Sequence, residues 1–177
     1  TEFGPLVEKA SKGLLDAWTT TPQGRLALIL LLDQFRRSIY RGTPKAFSRD
    51  PHALKICVEG AATGAYKSLT PFQQAFYFMP LQHAESLKIQ ERSIKIYEGL
   101  VSGVSDTQKA TFATFAQFAE LHHDIVKSFG RDVEAQARLV QLPAVLFAKL
   151  PASGPVPKRL ALQLQLAEET FPLVLGP

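Results

Sequence analysis

Cysteine is almost missing from this 177-residue chain, which has one, Cys57. A lone thiol closes no intrachain disulfide, so nothing here calls for an oxidising compartment. Cys57 lies in the apolar stretch Ala53-Leu-Lys-Ile-Cys-Val and reads as a small buried hydrophobe. A reactive thiol would want a local positive field. Also absent is any run of about 18 apolar residues, the length of a membrane-spanning helix. The longest such run is Leu26 to Leu32, so no membrane partner is expected. No signal-peptide pattern occurs, and Met79 is the one methionine. A processed or trimmed chain is therefore expected, with a cytoplasmic location as the default.

The motif inventory is equally thin. There is no Gly-x-Gly-x-x-Gly and no phosphate loop, and no Gly-x-Ser-x-Gly for an acyl-transfer nucleophile. The spacing His-Glu-x-x-His is missing too, although His83, Glu85 and His122 are residue types that zinc or non-haem iron would accept. The common motif-bearing enzymes are excluded, an unusual one is not, and neither cofactor nor metal ion is expected. No stretch alternates with period two for long enough to be a strand. Val101 to Val104 is too short and is interrupted by Gly103.

What is present is an ordinary globular composition, 46% hydrophobic and 20% charged, in a length that suits one domain over 1–177. The net charge of +4 is mildly basic and does not by itself indicate nucleic acid. Arg36, Arg37, Arg41, Lys45, Arg49 and Lys55 crowd one segment, opposed by Asp50 alone and interleaved with Tyr40 and Phe47. Such a patch can meet phosphates, but a solvated loop rim is the reading preferred here, and a nucleic-acid partner is not expected.

The punctuation is helical. Thr21-Pro22, Asp50-Pro51 and Thr70-Pro71 each place a capping residue before a proline that fits the first helical position. Ser105-Asp106 is a fourth start, and Gly42, Gly64, Gly103 and Gly130 supply stops. These signals, with apolar spacing of three and four, predict helices at about 5–18, 22–40, 51–62, 71–79, 81–101, 106–129, 132–149 and 157–170. Phe115, Phe118, Ala119, His122, Val126 and Phe129 form one face of the sixth. Leu87, Ile94 and Leu100 mark a face of the fifth. The stretch Leu26-Ala-Leu-Ile-Leu-Leu-Leu32 is apolar all round, which predicts a central helix covered on every side. The fold class is therefore all-α, about eight helices in packed antiparallel pairs. No internal repeat is evident, and the residue pattern of a tetratricopeptide repeat is absent.

Three motifs carry a family resemblance. They are Leu26 to Phe47, centred on Asp33-Gln-Phe-Arg-Arg-Ser-Ile-Tyr-Arg; Phe76-Tyr-Phe-Met-Pro-Leu-Gln-His-Ala-Glu with Gln90 after it; and His122-His-Asp-Ile-Val-Lys-Ser-Phe-Gly-Arg131. In this order, over about residues 3–131, they resemble the uncharacterised DUF924 family. The resemblance implies a tetratricopeptide-like helical bundle or short superhelix and carries no established activity. Three departures stand out. The two aromatic-rich helices that usually open the family are lacking. The family's Asp-Gln-Phe-Pro-Arg-Asn reads Asp33-Gln-Phe-Arg-Arg-Ser38. A family Phe-Pro-His-Arg-Asn segment after Arg131 is replaced by Asp132-Val-Glu-Ala-Gln. If that segment helps to build a site, this chain has lost part of it.

Three constellations could carry chemistry. Asp33 and Arg37 face each other four apart on a helix, and Gln34, Arg37 and Arg41 share a stripe. This group, with Tyr40, is either an anion clamp or a structural ion pair closing a buried helix. His83 and Gln90 would lie on one helix face, with Glu85 converging on His83 if the preceding residues are a turn. A His–Glu pair suits general acid or base work, and helix-start capping is the competing reading. His122 falls on an apolar face, so a buried, hydrogen-bonded imidazole is expected there, with His123 exposed beside Asp124. The preferred reading is a small-molecule pocket for an anionic ligand. In it His83, Glu85 and His122 handle protons, and Asp33, Gln34, Arg37, Tyr40, Arg41, Gln90 and Arg131 bind. The alternative is a tetratricopeptide-like module for a peptide or protein, whose groove would be exposed and either apolar or basic. A third possibility is a divergent member whose ancestral site has decayed.

Overall fold

The computed structural model describes residues 3–129. Arg131 and the helices expected at 132–149 and 157–170 lie outside the described residues.

Helix α1 (Gly4–Ser11) carries Pro5 in its first turn, where a missing N–H costs nothing. It stops short of the expected 5–18. Gly13 adopts φ +74°, its amide donates to the Ala10 carbonyl, and the Leu14 amide donates to that of Lys9. These are the two bonds with which a left-handed glycine closes a helix. The chain resumes as a 3-10 turn (Asp16–Thr20).

Helix α2 (Pro22–Leu30) starts on the Thr21 cap, whose hydroxyl accepts from the Gly24 amide. It runs through one π-helical turn (Leu31–Phe35) into α3 (Arg36–Ile39). Together these are the helix expected at 22–40. Leu26 through Leu32 are each exposed by 5% or less, so the all-round apolar stretch is the centre of the molecule. Around it pack α1, the 3-10 turn, α4 (Asp50–Ala62) and α5 (Pro71–Tyr77). The start of α5 is a full capping box between Thr70 and Gln73.

The single helix expected at 81–101 is two. Helix α6 (Met79–Gln82) ends, residues 83–86 are not helical, and α7 (Leu87–Gly103) restarts from an extended Ser86. Helix α8 (Asp106–Phe129) follows after two residues and packs along α7. Its rings reach back to α5, Phe72 against Phe112 at 4.9 Å and Phe76 against Phe115 at 6.2 Å. The fold is all-α, with no strand among the described residues. No described helix is long and apolar enough to cross a membrane.

Cys57 is fully buried on α4. Burial, and after it the negative charge of Asp33, push its thiol up to about 12, so it is an inert filler as expected.

Candidate functional site

The π turn delivers Asp33 into the core. A π turn widens the helix by one residue, and Asp33, within it, is fully buried. A buried carboxylate must find donors or charge partners. Asp33 finds three. Its Oδ1 accepts from His83 Nδ1 at 2.7 Å and from Arg37 Nε at 3.3 Å, and its Oδ2 accepts from Gln34 Nε2 at 2.6 Å. Burial alone would raise its pKa. His83 when protonated, the Arg37 guanidinium and these hydrogen bonds hold it well below the usual carboxylate range.

Arg37 links this carboxylate to a second one. Its Nη2 lies 2.6 Å from Asp50 Oδ2 at the start of α4, and its guanidinium stacks 5.1 Å from the Phe47 ring centre. Asp50 Oδ1 is buried without a partner. Burial outweighs Arg37 here, and the Asp50 carboxyl is pushed up to about 7.

His83 stands in the break between α6 and α7. Because a carboxylate only accepts, His83 Nδ1 carries the hydrogen, and in the neutral ring Nε2 keeps its lone pair. Burial first, and then the Arg37 charge, lower the His83 pKa. The side chain is 15% exposed, against none for Asp33, so the imidazole stands at the rim with its carboxylate behind it. His122, on α8, is arranged alike. Its Nδ1 donates to the Gln82 carbonyl at 2.8 Å, its ring centre is 5.5 Å from that of His83, and burial lowers its pKa to about 4. Among the described residues neither Nε2 has a hydrogen-bond partner.

Of the residues singled out in the sequence, the structure gathers Asp33, Gln34, Arg37, His83 and His122. Glu85 lies half-buried in the same break, two residues from His83. Three expectations are corrected. Gln90 is not on one helical face with His83, because the helix is interrupted between them. Fully buried, it donates from Nε2 to the carbonyls of Gln82 and Ala84 at 2.6 and 2.7 Å, groups that the end of α6 leaves unpaired. Tyr40 turns away, donating its hydroxyl to Glu8 on α1 and stacking under Arg36 and Lys45. Arg41 lies past the end of α3, exposed in the turn at Gly42, and shares no stripe with Arg37.

Sequence reasoning missed the site role of Asp50, which reads as a helix cap in Asp-Pro. Its carboxylate caps nothing and pairs with Arg37 instead. It also placed Arg36 in a solvated basic rim. Arg36 is 4% exposed and bonds Ser11, Ser48 and the Lys45 carbonyl. No signal in the spacing connects these partners. Among the described residues no group of three His, Cys, Asp or Glu side chains is placed to hold a metal ion.

An all-α protein with a carboxylate–imidazole pair at its centre is thus the class that fold and site define. Residues 1–132 match the family model described as bacterial protein of unknown function (DUF924), and the chain belongs to that family. No curated protein matches it. A solved structure of a protein of unknown function from Agrobacterium tumefaciens is similar, with 28% identity and a TM-score of 0.64 over 81% of this chain and 72% of that one.

Proposed function

We propose that the chain binds a polar small molecule at the Asp33–His83–His122 cluster, with His83 as the proton acceptor. The observation that carries this reading is the buried Asp33 carboxylate 2.7 Å behind a partly exposed imidazole. The carboxylate fixes the tautomer and stabilises the imidazolium that forms when Nε2 takes a proton, the arrangement by which such pairs serve as general bases. His122 supplies a second ring nitrogen beside it. Arg37, read in the sequence as an anion clamp, is compensated by Asp33 and Asp50 and serves in this reading to hold the two carboxylates.

The alternative, a tetratricopeptide-like module for a peptide or protein, calls for a contiguous exposed face. The large exposed hydrophobic residues among those described are Leu14, Val58 and Leu87, each on a different part of the fold. Two arginines of the basic segment, Arg36 and Arg37, point inward.

The test is a thermal-shift screen of polar metabolite-like compounds on the wild type and on His83→Phe, with folding of the variant checked by circular dichroism. Stabilisation of the wild type alone supports the site. Compounds that stabilise both proteins equally, or none that stabilise either, refute it.

A further inference from the structure

We infer, resting on the site proposed above, that Asp50 regulates it: through Arg37, which Asp50 shares with Asp33, the charge on Asp50 governs whether His83 is free to take a proton.

The four side chains form one unbroken line. Asp50 Oδ2 accepts from Arg37 Nη2 at 2.6 Å, Arg37 Nε donates to Asp33 Oδ1 at 3.3 Å, and the same Oδ1 accepts from His83 Nδ1 at 2.7 Å. They come from the start of α4, from α3, from the π turn and from the break before α7. The two interior links, Arg37 and Asp33, are 15% and 0% exposed. Where water is largely excluded, a change of charge at one end of such a line is felt at the other with little screening.

The line is neutral when its two ends hold one proton between them. Asp33 is held well below the usual carboxylate range and an arginine stays protonated, so the interior links cancel. A carboxylate is left at one end and an imidazole at the other, and a buried cluster with no net charge costs least. With the proton on Asp50, the Arg37 charge is no longer offset from that side, and it keeps His83 neutral. With the proton on His83, Asp50 is ionised. Titrations linked in this way belong to the pair, and the linkage is reciprocal.

The surroundings set the order. Burial pushes the Asp50 carboxyl up to about 7, whereas burial and then Arg37 lower the His83 pKa, so on acidification Asp50 takes the first proton. Its Oδ2 is engaged by Arg37 and its Oδ1 is buried without a partner, which makes Oδ1 the oxygen that accepts it. Asp33 and Arg36 also act on Asp50, and His52, two residues along α4, pairs with Asp16 at 3.8 Å. At the other end His122, lowered to about 4 and neutral at pH 7, has its ring centre 5.5 Å from that of His83. A ligand that hands its proton to His83 therefore drives one off Asp50, whose side chain is 16% exposed, and the line stays neutral while the base works.

The test uses the full chain without ligand, with 13C-labelled histidine rings and aspartate carboxyls, titrated by NMR between about pH 9 and about pH 4, a span that covers both groups. In the wild type we expect the His83 ring signal to move in two steps. The smaller coincides with the midpoint of the Asp50 carboxyl and reports the fraction of molecules that hold the proton on His83. The larger follows at lower pH, where Asp50 is already protonated. Asp50→Asn keeps the shape and removes the charge. It should abolish the smaller step, the imidazolium of His83 at neutral pH falling roughly tenfold, and leave the larger step in place. His123, beside Asp124, should titrate alike in both proteins. A His83 signal with no movement at the Asp50 midpoint would overturn the inference. So would a smaller step that persists in Asp50→Asn, or an Asp50 carboxyl that titrates near the ordinary value of about 4. If Asp50→Asn does not fold, the wild-type curves decide alone. Because no ligand is used, failure here leaves the binding site standing, and failure of the thermal-shift screen leaves the linkage standing.

Discussion

At the scale of the residue, Asp33 is the group on which the site depends. It is fully buried and accepts from three side chains, two of them cationic or able to become so. The spacing of four to Arg37 made that one contact legible in the sequence, since such pairs face each other on any helix. The other contacts join positions 33 to 83 and 37 to 50, and no local periodicity encodes a partner fifty or thirteen residues away. Arg37 supplies the test. Replacing it with Met keeps the packing volume but leaves Asp33 and Asp50 without their guanidinium. Removing one partner of a buried ion pair costs roughly 3–5 kcal/mol. Arg37→Met should lose stability of about that size in urea denaturation, and a loss under about 1 kcal/mol would show that the pair is solvated.

At the scale of the element, helix starts were legible and helix interruptions were not. Thr21-Pro22 and Thr70-Pro71 act as caps because a hydroxyl and a proline need only their nearest neighbours. Thr70→Ala should cost about 1 kcal/mol in thermal or chemical denaturation, whatever happens at the site. The break at 83–86 has no such local cause in the sequence, where apolar spacing runs on from Leu81 into α7. What stabilises it is tertiary: the buried amide of Gln90 and the ring of His122 both donate to the carbonyl of Gln82. Of the face expected on α7, Ile94 and Leu100 do pack against the core, and Leu87, next to the break, does not. Gln90, Ser93 and Tyr97 are fully buried while Leu87 is 41% exposed, so two polar side chains share the core-facing side of α7 with its apolar residues, which hydrophobic spacing alone does not reveal. Gln90→Met would keep the volume and strip two carbonyls of a donor. It should cost roughly 2–4 kcal/mol and should broaden the NMR signals of His83 and His122 before those of α1. A neutral outcome would mean that water replaces the amide.

At the scale of the whole molecule, the buried titratable groups set the dependence of stability on pH, and they act in opposite directions. His122 has a pKa near 4 in the folded chain against about 6.5 when unfolded. Between those values the unfolded chain binds more protons, so stability falls as pH drops below 6.5. His83, lowered in the same direction, adds to that loss. Asp50 does the reverse. Its folded value of about 7 stands above an unfolded value near 3.9, so between them the folded chain holds the extra proton and acidification stabilises. The carboxyl of Asp33 titrates below this range and contributes nothing to it. From pH 7 to 5 the wild type should therefore lose stability with a damped slope, each proton of difference being worth about 1.4 kcal/mol per pH unit. His122→Asn keeps a donor for the Gln82 carbonyl and removes the titration, so its melting temperature should fall less over that range than the wild type's. Asp50→Asn removes the opposing group, and its melting temperature should fall more. Calorimetry at half-unit steps of pH checks the order. If His122→Asn had the same acid slope as the wild type, the His122 ring would already be solvated, and burial would not be what lowers its pKa.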